Sequence, residues 1–368
     1  MLLFTIGWFT LFSVLAGLTA SYAQLLAVRV LQGLGFGGEW AVGATLMAEV
    51  MAPANRGKAV GLVQSGFSFG WAFASISATV ILALFPQALA WRIALWFCVV
   101  PALAVVFIRR NLQEPAIFLE RKRTASTGAA ASFGSVFRRD VARHTVLASA
   151  VVLGFQASSF AIINWLPTLL IQVRHLSPGQ VVVTMLIITG GAFAGFLFNA
   201  DACDRYGRKP TLLAFSAAAW VVSCCYMFIP MPPVLLTTLG FAVGFTVNGM
   251  FASVGPFLSE LFPTEIRTTC MAFSYNLGKS AGAFAVVLVG MLSAYMPLAH
   301  AIGAFCFVGY AISMAALLLL PETLGRDLGV MSTEGQRTLP AHGAVTSLVR
   351  PFMGARAQRN DEAKPLAD

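Results

Sequence analysis

A cation, an amide and a carboxylate stand in the apolar stretch RVLQGLGFGGEWAVG, residues 29–43: Arg29, Gln32 and Glu39. At about 100° per residue the three fall within a sector of about 80°, on one face of one helix. Groups of this kind persist among apolar residues where they line water, pair or take part in function. Glu39 is the carboxylate set well inside an apolar run. Desolvated there, it is suited to load and release a proton, or to stand in a fixed ion pair with Arg29 or Lys279. Arg29 has a second option, since it lies only about 8 Å along the helix from its end and could extend its head to an interface. Lys279 is also deep in an apolar run and shares a sector of about 100° with Tyr275 and Asn276. Together Arg29 and Lys279 could clamp an anion through charge-assisted hydrogen bonds. Gln156, Asn164 and Asn248 are further polar contacts, each equally able to bond a neighbouring helix.

The glycines at 33, 35, 37 and 38 raise a rival reading, a phosphate-cradling loop. Such a loop needs a strand before it and a helix after it. This run lies inside an apolar helix, so its small residues are expected to let a neighbouring backbone approach closely. No cofactor and no metal are expected. His144, His175, His300 and His342 form no ligand pair, and the six cysteines, at 98, 203, 224, 225, 270 and 306, have no metal-ligand spacing and read as packing residues.

Helices must position these groups, and the composition says in what solvent. With 58% hydrophobic and 11% charged residues and a mean hydropathy of +0.79, the chain is too apolar for a soluble domain. Its apolar residues fall into ten blocks: 3–21, 24–48, 60–84, 92–109, 145–172, 180–199, 211–229, 234–258, 269–294 and 300–320. Each suits a helix crossing a hydrocarbon core of about 30 Å, and their unbroken apolarity is unlike the alternation of a membrane barrel. No Lys or Arg precedes the first block, as a cleaved signal peptide would require, so it reads as a span. The net charge of +9 concentrates in alternate loops and the tail, with only Arg92 and Arg174 on the other side. That bias marks topology, with both termini cytoplasmic, rather than a nucleic-acid partner. The lipid bilayer is the implied surroundings, in a plasma membrane.

The chain also repeats itself. Glu49, a proline and Arg56 in EVMAPANR recur as Glu260, a proline and Arg267 in ELFPTEIR, at a constant offset of 211 residues. Two helical halves follow: 1–109 with four helices and 144–320 with six, joined by a charged loop, 110–143, and followed by a polar tail, 321–368. The second half carries DACDRYGRK, residues 201–209, after its second helix, and the same offset places its counterpart just before Met1. The repeat therefore leads one to expect two further helices upstream. Parallel repeats of this kind are an architecture of transporters.

These motifs, with R-x-x-Q-G-x-G-x-G-G-E-W at 29–40 and P-E-T-x-G at 321–325, resemble the major facilitator superfamily from residue 1 to about 327. GGEWAVGATLMAEVMAPANRGKAVGLVQSGFSFGW, NWLPTLL and GPFLSELFPTEIRTTCMAFSYNLGK are most similar to the sialate:proton symporter and carboxylic-acid transporter branch, near the sugar porters and aromatic-acid symporters. The resemblance implies an all-α polytopic bundle with ten of twelve family helices. With the cationic cavity, it implies no enzyme but a transporter in which a small anionic substrate moves with protons by alternating access, in a monomer. Arg29 would face the central path and Glu39 would carry the proton. Glu49, Arg56, Asp201, Asp204, Arg205, Arg208, Glu260 and Arg267 sit at cytoplasmic helix ends. They are either interfacial charges or a salt-bridge latch between the halves that holds the outward-facing state. Two rivals stay open: a sugar or polyol porter, which would not need two cavity cations, and a non-transporting sensor or degenerate fragment.

Overall fold

The computed structural model describes residues 2–36, 55–100, 102–103, 133–263 and 266–325. Residues Met1–Gly329 cohere as one unit and Val330–Asp368 as a second, which lies outside the described residues, as do Glu39 and Glu49. Among the described residues, ten helices fall in the ten apolar blocks: α1 Leu2–Leu18, α2 Tyr22–Phe36, α3 Arg56–Leu84, α4 Gln87–Phe97, α5 Arg139–Gln172, α6 Pro178–Tyr206, α7 Arg208–Phe228, α8 Pro233–Leu261, α9 Arg267–Leu292 and α10 Leu298–Leu319. Seven of them, α3 and α5 to α10, are long and apolar enough to cross a membrane. The protein is an all-α integral membrane protein.

Local chemistry accounts for several boundaries. Ser177 and Gln180 form a capping box at the start of α6, with Pro178 in the first turn where its missing N–H costs nothing. α5 begins at Arg139, earlier than its apolar block, because Arg139, Asp140 and Arg143 continue the helix past the hydrocarbon. α8 is interrupted by a π-turn, Gly244–Asn248.

In the second half α5 is the hub, packed along α9 and α10, while α6 lies against α8. Glycines set the α6–α8 spacing. A Cβ on Gly191, Gly195 or Gly244 would overlap the backbone of Phe241, Phe245 or Ile188 respectively. At Gly33 a Cβ would meet nothing within 4 Å among the described residues, and Gly37 and Gly38 of the same run lie outside them. In the first half α1 packs on α2 and α4. The halves meet where α3 lies along α6 and α8.

The two arginines expected opposite the basic side are spent on helix ends. Arg92 donates to the carbonyl of Thr19 (3.1 Å), just past α1, and lies over the ring of Trp91. Arg174 donates to the carbonyls of Tyr226, Met227 and Ile229 at the end of α7 (2.8, 3.1 and 3.0 Å). Both place a cation on the negative pole of a helix.

Candidate functional site

At one end of the bundle α3 starts beneath the last turn of α6, and the residues of DACDRYGRK join the halves there. The Asp204 carboxylate accepts from the backbone N–H of Gly57 and of Lys58 (2.9 Å each), so a side chain from the second half caps a helix of the first. Gly57 must be a glycine for this, because a Cβ would press on Asp204 and Cys203. Arg56 Nη1 reaches Glu260 Oε1 at 2.8 Å, and both residues are buried, at 2% and 3% exposure. Arg208, fully buried, donates to both oxygens of Glu260 (3.2 and 3.1 Å), pairs with Asp204 and donates to the Cys203 carbonyl. Thr323 Oγ1 adds a fourth bond to Glu260, from a third residue (3.0 Å). Nearer the surface Asp201 pairs with Arg205 in its own helix (2.7 Å) and with Lys58 across the joint (3.1 Å).

The P-E-T-x-G segment closes the same cluster. Glu322 accepts from the backbone N–H of Arg208 and Lys209 at the start of α7, and Lys209 Nζ returns to the carbonyls of Leu318 and Leu320 at the end of α10. Between α6 and α7 the chain turns at Gly207, whose φ of 108° and whose contact with Glu322 leave no room for a side chain. Arg267 is buried at the start of α9.

Further along α3 and α6 lies a cleft between the halves, with a volume of about 480 Å³ counting the space open to solvent. Phe67, Ser68 and Trp71 of α3 form one wall. Ile163 and Leu166 of α5, with Met185, Ile188, Thr189 and Ala192 of α6, form the other. Val243 and Asn248, at the π-turn of α8, close it. At about 1.5 Å per residue, Ser68 and Trp71 stand about 18–22 Å from the α3 start, roughly midway through a bilayer.

Among the eight substrate contacts expected from the sequence, the cleft includes Asn248 among the described residues. Arg29 is exposed on α2 and donates to Gln32 (2.9 Å), while Gln32 is buried against α1, bonded to Ser13 and to the Phe9 carbonyl. Asn164 and Asn276 donate to carbonyls one turn back in their own helices, Phe160 and Ala272. Gln156 is buried and hydrogen-bonds Tyr275, and Lys279 Nζ lies 5.1 Å from the centre of the Tyr275 ring. Thus Gln156, Tyr275 and Lys279 come together between α5 and α9. Ser68, Trp71 and Thr189 were not expected from the sequence, where a serine, a tryptophan and a threonine in apolar helices carry no distinguishing signal.

The chain matches the Major Facilitator Superfamily over residues 1–287 and 184–360. It belongs to that superfamily. Members of this family are transporters, not enzymes. The chain is 51% identical over 350 residues to a probable 4-methylmuconolactone transporter of Cupriavidus pinatubonensis, covering 95% of this chain and 80% of that protein. It is 27% identical over 308 residues to the sialic acid transporter NanX of Escherichia coli, covering 83% and 72% of the two chains. Its fold is shared with the proton:xylose symporter XylE bound to 6-bromo-6-deoxy-D-glucose, at a TM-score of 0.65 and 16% identity over 89% of this chain and 82% of that one.

Proposed function

We propose that this protein is a secondary active transporter that carries a small organic acid across the membrane together with protons. The observation that carries the reading is that the same helices, α3 on one side and α6 and α8 on the other, hold the inter-half contacts at one end and wall the cleft near its middle. A rocking motion that parts Arg56 from Glu260 moves the cleft walls in the same step, which is the requirement of alternating access. The likeness to a methylmuconolactone transporter and a sialic acid transporter supports an acid as cargo. Arg29 and Lys279 are the cations offered to its carboxylate, and Glu39 is the proton carrier. The halves are residues 1–109 and 144–320, joined through 110–143. The protein works as a monomer in a plasma membrane, with the basic end and both termini in the cytoplasm.

Uptake into proteoliposomes with an imposed proton gradient tests this. Labelled 4-methylmuconolactone is expected to accumulate above its external concentration and to leak out when a protonophore is added. Uptake that stops at equilibrium would remove proton coupling and keep the acid. Uptake of xylose in place of the acid would make the protein a sugar porter.

A further inference from the structure

The cleft has a chemical bias that the transport reading does not by itself supply. No Arg, Lys or His contributes to its lining among the described residues, so a carboxylate placed there would be left without a counter-charge. A sugar fits no better. A pyranose carries a hydroxyl on most ring carbons, whereas among the described residues the lining has three hydroxyl- or amide-bearing side chains, Ser68, Thr189 and Asn248, and Thr189 already donates to the Met185 carbonyl (2.8 Å). Buried polar groups left unpaired are the strongest basis for rejecting a ligand.

Ser68 marks what the cleft accepts. Serines in apolar helices usually turn their hydroxyl to a carbonyl of the preceding turn, as Ser65 does to Leu62 in the same helix (2.7 Å). Ser68 does not. It is 4% exposed, its Oγ is buried without a hydrogen-bond partner among the described residues, and the residue belongs to the wall of the cleft. An unspent donor of that kind costs free energy until an acceptor arrives. Trp71, one turn on, and Phe67 beside it offer flat apolar surface, and the π-turn of α8, a local distortion common at functional sites, places Asn248 opposite.

We propose that this cleft is the subsite for the uncharged end of the cargo, a compact unsaturated or lactone ring bearing one or two acceptor oxygens. Ser68 Oγ–H donates to the ring's carbonyl or ester oxygen, Asn248 serves its second oxygen, and Trp71 covers its face. The inference rests on the organic-acid reading above and assigns the two ends of the molecule to different places: the carboxylate outside the cleft, the neutral ring inside it.

The test is the affinity of the purified protein in lipid nanodiscs for 4-methylmuconolactone, a ring with one carboxylate, and for cis,cis-muconate, an open chain with two, read by quenching of tryptophan fluorescence. Ser68→Ala is expected to weaken lactone binding about five- to tenfold, the value of one neutral hydrogen bond, and to weaken muconate binding less. Ser65→Ala, which removes a hydroxyl outside the lining, is expected to leave lactone binding as it was. An equal loss for both acids in Ser68→Ala, no loss for the lactone, or wild-type binding of muconate without the lactone overturns the subsite. Wild-type protein that neither binds nor transports either acid overturns the organic-acid reading, and the subsite with it. Lactone uptake by wild type with unchanged lactone affinity in Ser68→Ala overturns the subsite alone.

Discussion

Glu260 receives bonds from three separate stretches of chain: Arg56 of the first half, Arg208 of the second and Thr323 after the last helix. Of these, the Arg56 bond crosses the joint, and its two charges are buried, so removing Arg56 leaves Glu260 short of a counter-charge in a dry setting. Arg56→Ala is expected to weaken the closed state by up to about 3 kcal/mol, the lower range for breaking a buried pair, because Arg208 stays in place. The shift should appear as faster labelling of a cysteine placed at Ala200, which faces Gly61 across the joint, in a protein freed of its native cysteines. Unchanged labelling would reduce the pair to a static contact. That Glu260 and an arginine matter was legible in the repeated spacing of ELFPTEIR and EVMAPANR. That Glu260 bonds the arginine of the other repeat was not, since spacing along one strand of sequence says nothing of what faces it. Ser68 was illegible for a related reason, because a free hydroxyl and one bonded to its own helix read alike.

Each apolar block meets a helix among the described residues because length and apolarity are properties of a segment by itself. Departures come where a second segment intervenes. The π-turn at Gly244–Asn248 falls where α8 crosses α6 at glycine-on-backbone distance, and nothing in GFTVN distinguishes it from an ordinary helical turn. Gly207 is different, since it stands between charged motif residues and the structure gives it two separate reasons to be glycine. Gly207→Ala meets both a left-handed φ and the Glu322 carboxylate. The strain alone is expected to cost about 1–3 kcal/mol, and the displaced Glu322 would leave the first N–H groups of α7 uncapped. Thermal unfolding in detergent should shift to lower temperature by several degrees, and a transition that stays in place would show that the turn relaxes freely.

Coupling to a gradient belongs to the whole molecule, because it requires one protonation event to bias which face is open. Glu39 is the residue the sequence offers for that role. Glu39→Gln is expected to abolish uphill accumulation while downhill exchange of the acid persists, because the amide resembles the protonated acid and cannot release its proton. Full accumulation by the variant would place the coupling elsewhere in the protein. The latch gives the molecule a further property. Its outer contacts, Lys58–Asp201 and Arg205–Asp201, are substantially exposed, and dissolved ions screen such pairs readily. Arg56, Arg208 and Glu260 are sealed from those ions. On the latch reading proposed above, the balance between open and closed forms would be held by charges that the ionic strength of the compartment does not reach, and the gate would keep its set point when the salt around it changes.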